Sequence, residues 1–175
     1  MSRYNSFEDH QHDVQFAVLE RRVRNLETLV GSTGGGLHSK VVRVPGSGTN
    51  YTSTSYVAVS GLSMVFDKKS VSTLLRVKIS ASGFVNVATK VTFGVDAIAS
   101  NATYTDIDVS PYFFNTTGDH RHWSYERDMP DEAMFDPLLA SGDVTINGKV
   151  KVLSNQFTVN TDDLLVMTVT EVEFF

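Results

Sequence analysis

The sequence predicts a mainly β protein, an antiparallel β-sandwich of jelly-roll-like type, preceded by a short N-terminal α-helical coiled coil. Two periodicities and the glycine run between them point to it. Phe16, Leu19, Val23, Leu26 and Val30 recur at spacings of three, four, three and four, the a/d seam of a heptad repeat. Further along the apolar residues alternate: Leu75, Val77, Ile79 and Ala81; Val91, Phe93 and Val95; Leu165, Met167 and Val169. A period of two belongs to strands with one face buried. Between these regions Gly31-Ser32-Thr33-Gly34-Gly35-Gly36 has too little side chain to pack and reads as a helix stop and linker. The expected division is an arm and coiled-coil helix over 1–30, a linker over 31–36 and a β-sandwich domain over 37–175.

The helix comes first. With Phe16 at position a, Arg22 falls at g and Glu27 at the following e, the pairing that links neighbouring helices of a parallel coiled coil. Arg22-Val23-Arg24-Asn25-Leu26-Glu27 resembles the trimerisation motif of short parallel coiled coils: arginine, apolar, any two, apolar, glutamate. That resemblance implies an Arg22 stem packed over the seam, its fork on Glu27 of the next chain, and a homotrimer rather than a dimer. The alternative is an amphipathic helix lying on its own β-domain. The narrow seam and the flexible linker speak against it, although under three heptads is marginal for a free-standing coil. Val14, Ala17 and Val18 sit outside the seam, where they either dock on another protein or are tolerated surface residues.

In the β-domain, turn signals occur at Gly46-Ser47-Gly48, Ser60-Gly61, Asp67-Lys68-Lys69, Ser82-Gly83, Thr117-Gly118-Asp119, Ser141-Gly142 and Asn147-Gly148. Short β-branched and aromatic segments separate them, as in a sandwich or jelly roll. Asn147-Gly148, flanked by Val144, Ile146, Val150 and Val152, predicts a hairpin with a type I′ turn. The stretch from Leu164 to Phe175 is apolar on both faces and reads as a central or shared strand. From Ala97 to Ser141 the alternation fails, and a long loop is expected there, with a helical turn between Pro130 and Pro137.

Composition excludes several classes. The 175 residues, 41% hydrophobic, suffice for one substantial core. There is no cysteine, so disulfides, thiolate zinc sites and cysteine nucleophiles are all excluded. Of the net charge of −5, residues 1–36 carry −1 (four Arg, five acids) and the remainder −4 (eleven Lys/Arg, fifteen acids). Neither part has the basic excess of a nucleic-acid binder. Met1 to Gln15 contain no signal-peptide core, and no apolar run is long enough to span a bilayer. The expectation is a soluble protein made in a cytoplasm, with the sequons at Asn50, Asn101 and Asn115 unused.

Candidate chemistry is sparse. Nucleophile elbow, phosphate loop, dinucleotide fingerprint and His-Glu-x-x-His helix are all missing. Asp128, Asp131, Glu132 and Asp136 offer carboxylates for glycoside hydrolysis, but a solvated acidic loop explains them as well. The ligand-binding candidates are His120, His122, Trp123 and Tyr125. Trp123 and Tyr125 share one face of any strand they occupy, and an aromatic surface ringed by polar groups suits a sugar. The competing role for Trp123 is to plug the sandwich core or a subunit interface. No catalytic residue, cofactor or resident metal is expected.

A trimer motif, a glycine-rich linker and a cysteine-free, Ser/Thr-rich β-domain together resemble small virion structural proteins of tailed bacteriophages: minor tail proteins, fibre tips and head fibres. Tyr51 to Leu62, followed by Leu74 to Ala81, is similar to the opening strands of such domains. The resemblance implies a non-enzymatic, homotrimeric tail-associated protein that presents a β-sandwich for host attachment. Its partners would be itself, other virion proteins and a host cell-surface glycan, and its location the virion. The alternatives are a capsid decoration protein or head fibre of the same build, and a glycan-cleaving enzyme on a trimeric scaffold. In some phage fibres a His-x-His pair binds metal on the trimer axis; His120 and His122 have that spacing, as exposed or hydrogen-bonded histidines also do.

Overall fold

The computed structural model describes residues 38–116, 118–129 and 138–173. The expected helix and its seam (Phe16, Leu19, Arg22, Val23, Leu26, Glu27, Val30), Val14, Ala17 and Val18, the glycine linker and the acidic segment 130–137 lie outside the described residues.

Ten strands follow one another among the described residues: β1 (Ser39–Pro45), β2 (Thr49–Tyr51), β3 (Val57–Lys68), β4 (Thr73–Val85), β5 (Thr89–Ile98), β6 (Thr103–Phe114), β7 (Asp119–Met129), β8 (Gly142–Val152), β9 (Phe157–Val159) and β10 (Leu164–Glu173). They form two antiparallel sheets. In the first, β10 lies between β1 and β4, from Leu165 opposite Ala81 to Glu173 opposite Thr73. β9 extends that edge of β4 at Phe84 and Val85 and carries β2 on its far side. β7 runs along β4 from Met129 opposite Leu75 to Asp119 opposite Val85, and so takes the other edge. The second sheet has the order β3-β8-β5-β6.

Period-two alternation places the inner faces together. Leu75, Val77, Ile79 and Ala81 of β4 and Leu165, Met167 and Val169 of β10 are buried in one core with Val91, Phe93 and Val95 of β5 and Val144, Ile146, Val150 and Val152 of β8. Large apolar side chains on both inner faces supply most of the driving force, about 1.5–3 kcal/mol for each fully buried one. β10, expected to be central or shared, is flanked on both edges, by β1 and β4; its outward face alternates Val166 and Val172 with Thr168 and Thr170, all half-buried.

Three expectations are corrected. Asn147-Gly148 is not a turn: β8 passes straight through it, Asn147 opposite Asp96 and Gly148 opposite Val95. Glycine is needed there because a Cβ would lie 2.4 Å from the Leu62 side chain and 2.8 Å from its carbonyl oxygen. Ser60-Gly61 and Ser82-Gly83 also lie within strands. Gly61 has φ +79° beside the register shift of β3 between Ala58 and Ser63, a bulge that takes up the extra residues. Gly83 leaves room for the Phe157 ring, 2.2 Å from where its Cβ would be. The stretch expected to be a loop, Ala97 to Ser141, holds the long strands β6 and β7. Among the described residues each pairs along one edge only, and burial along both is uneven, so the alternation is lost.

Candidate functional site

The four ligand-binding candidates all fall on β7, on opposite faces. His120 and His122 point outward, opposite Phe84 and Ser82, and are exposed. Trp123 points inward, opposite Ala81, and is 5% exposed. Its indole lies 5.0 Å from the Tyr112 ring, 5.5 Å from Phe114, 5.7 Å from Phe157 and 6.0 Å from Phe93, centroid to centroid. Stacked and edge-on contacts of this kind add to the area term. The indole therefore fills the core where the two sheets meet at β6 and β7, and its Nε1 has no hydrogen-bond partner there. Tyr125 has the same inward parity but stands 49% exposed, because nothing flanks the far edge of β7 among the described residues.

His120 is held by a residue the sequence reading did not single out. Its Nε2 lies 2.7 Å from Oδ1 of Asp163, whose side chain is 1% exposed. Which atom donates depends on the histidine tautomer: against an ionised carboxylate, which only accepts, the bonding tautomer is the one protonated at Nε2. The other carboxylate oxygen accepts the Asn160 N–H at 2.7 Å, and the Asp163 carbonyl accepts the Gly46 N–H at 2.8 Å. Asp163 thus ties the joint between β9 and β10 to the joint between β1 and β2 and to β7. Among the described residues His122 has no counterpart to this carboxylate, so there the two histidines differ in surroundings despite their matched parity.

Of the carboxylates considered for glycoside hydrolysis, Asp128 alone lies among the described residues. Arg76 holds it in a two-pronged pair, Nε to Oδ1 at 2.7 Å and Nη2 to Oδ2 at 2.8 Å. Burial of the guanidinium is slight, and the Asp128 hydrogen bonds and charge push the Arg76 pKa up.

The outer face of the second sheet carries a charged cluster. The Tyr56 hydroxyl donates to Asp108 Oδ1 at 2.5 Å, and Lys151 Nζ donates to the same oxygen at 2.9 Å while lying 4.2 Å above the Tyr56 ring. Glycine at 94 lets this happen, since a Cβ there would stand 2.7 Å from the Tyr56 ring. Burial and then the Asp108 charge push the Tyr56 phenol far above its ordinary value. Beside it Lys149 bridges Asp96 and Asp106, each at 2.8 Å. The two ammonium groups thus face three carboxylates, each of which has a lysine partner. Among the described residues no three His, Asp or Glu side chains converge as a metal site would need.

No known protein family matches the chain, and no curated protein matches its sequence. Among solved structures, that of infectious bursal disease virus Gx strain aligns over 78% of this chain and 32% of its own at 8% identity, with a TM-score of 0.48. The enzymatically active domain of bacteriophage CBA120 tailspike protein 4 aligns over 78% and 19%, at 8% identity and a TM-score of 0.30. The chain spans about a third of the first structure and a fifth of the second. Likeness at these scores carries nothing over to this chain.

Proposed function

We propose that this chain is a virion structural protein of a tailed bacteriophage: a homotrimer joined by a coiled coil over residues 13–30, presenting its β-domain at the tail for attachment to the host surface. The observation that carries the proposal is the strand order. Counting β1/β2 and β9/β10 as interrupted single strands, the sheets read β1-β10-β4-β7 and β3-β8-β5-β6. This is the double Greek key of a jelly roll, an architecture of viral capsid and lectin domains. The cysteine-free sequence and the motif Arg22 to Glu27 support the same reading. We take its role as non-enzymatic, a reading in keeping with Asp128, Asp108 and Asp163 each being engaged by a neighbouring side chain.

Sedimentation of the full chain together with a host-cell pull-down tests the proposal. The expected mass is three times 19.3 kDa, with the protein retained on host cells; a monomer at micromolar concentration, or no retention, counts against it. Trimerisation would raise a weak single-site affinity through effective concentration. Val14, Ala17 and Val18, apolar and outside the seam, favour a second reading as a capsid decoration or head fibre, in which that segment docks on the shell. Binding to empty, tailless heads separates the two.

A further inference from the structure

The break between β1 and β2 opens a cleft of about 140 Å³ that reaches in from the surface to the core. Val59, Val159 and Leu165, all buried, form its floor, and half-buried Val44 and Tyr51 its sides. The exposed hydroxyl residues Ser47, Thr49 and Ser60 stand at its mouth. None of the residues lining it is charged. We propose that this cleft binds one neutral pyranose ring of a glycan.

Size, polarity and rigidity each bear on the ligand. An enclosed apolar cavity of about 150 Å³ holds one benzene ring, so this open cleft of about 140 Å³ has room to seat one six-membered ring, with its substituents toward the mouth. A pyranose has apolar ring faces and a hydroxylated edge. That pattern matches valine and leucine side chains below and serine and threonine hydroxyls above. Without a guanidinium or ammonium in the lining, sulfated, phosphorylated and uronic sugars gain nothing over neutral ones. The walls are fixed before any ligand arrives. Gly46 N–H donates to the Asp163 carbonyl at 2.8 Å, Gly48 N–H to the Val159 carbonyl at 2.9 Å, and the Ser47 and Thr49 hydroxyls are 2.7 Å apart. A Cβ on residue 46 would fall 1.7 Å from the Asn160 carbonyl oxygen, so the backbone here is pressed against the β9–β10 joint. A pre-formed site spends little binding energy on ordering. This places the sugar on the β1–β3 side of the domain, away from Trp123, whose indole is in the core.

The inference rests on the attachment reading only for where the glycan would come from. Ligand-observed saturation-transfer NMR on the full chain, with methyl glycosides of glucose, galactose, mannose and N-acetylglucosamine, tests the cleft itself. At least one of them should show transfer with roughly millimolar affinity. Ala58→Trp, which plugs the mouth, should abolish it at unchanged melting temperature. Thr49→Val and Ser60→Ala should each weaken it about three- to tenfold, as loss of one hydrogen bond does. Transfer to none of the four, or transfer that Ala58→Trp and Thr49→Val both leave intact, overturns the proposal. So does benzene occupying the cleft while no sugar competes with it, which would mark an acceptor for an apolar side chain. If sugars bind the cleft but the full chain is not retained on host cells, the attachment reading falls and the cleft assignment stands.

Discussion

The Glu171 carboxylate on β10 accepts the backbone N–H groups of Lys69 and Ser70, at 2.8 and 2.9 Å, across the turn that joins β3 to β4. The Thr73 hydroxyl donates to it as well, and the residue is 8% exposed. Burial pushes its pKa up, but the three hydrogen bonds and the nearby Lys68 charge outweigh burial and hold it below the ordinary 4.5. A carboxylate whose folded pKa is depressed stabilises the fold fully above its unfolded value and loses that contribution as pH falls through the folded pKa. Glu171→Gln should therefore lower stability by about 1–3 kcal/mol at neutral pH. The gap between parent and variant should narrow as pH drops below 4.5. Urea titrations across that range measure both.

Tyr56 and Asp108 form a second such tie, far apart in sequence and on the outer face of the other sheet. Burial raises the Asp108 pKa, and the Tyr56 and Lys151 hydrogen bonds together with the Lys151 and Lys90 charges more than reverse this, leaving it below 3.8. Its stabilisation has the same sign as that of Glu171, present at neutral pH and lost in acid. Tyr56→Phe should cost about 0.5–1.5 kcal/mol, since Lys151 still reaches the carboxylate. Thermal melts at pH 7 and pH 3 should differ between the two proteins chiefly at the higher pH.

Trp123→Ala should destabilise by about 3–5 kcal/mol, because the indole fills core space shared with Phe93, Phe114 and Phe157. Tyr125→Ala should stay within about 1 kcal/mol, the residue being half exposed. Equal losses for the two in calorimetry would contradict the placement of the indole.

Gly148→Ala and Gly83→Ala should each destabilise by about 1–3 kcal/mol through overpacking against Leu62 and Phe157. Retention of the parent melting temperature by either would mean that β3 or β9 does not press where described.

Those two glycines also mark the limit of what the sequence carried. The central strands were legible because β4, β5 and β10 each bury one continuous alternating face. Glycine, by contrast, looks the same whether it turns a chain or admits a neighbour. In β8 the resolving signal was nevertheless there: Val144, Ile146, Val150 and Val152 share one parity with Gly148. A two-residue turn at 147–148 would have set Ile146 beside Lys149 and Val144 beside Lys151, so an uninterrupted strand fits the pattern better. β6 and β7 were not legible. β6 has one open edge among the described residues and register shifts opposite it at Phe93/Gly94 and Val95/Ala97, so no clean period survives. For the candidate site, the aromatic and histidine residues of β7 were identified as a group, and of the two roles weighed for Trp123 it takes the core one, at 5% exposed. Asp163, 43 residues from its partner His120, and the cleft at the β1–β2 break depend on pairings that no local pattern encodes.

The most direct test of the proposed role is electron microscopy of the parent phage particle with a gold-labelled antibody raised against this chain. Gold at the tail, lost when the gene product is absent, is the expected result. Purified, infectious particles that carry no label anywhere would contradict a virion role, and label confined to the head would contradict the tail position.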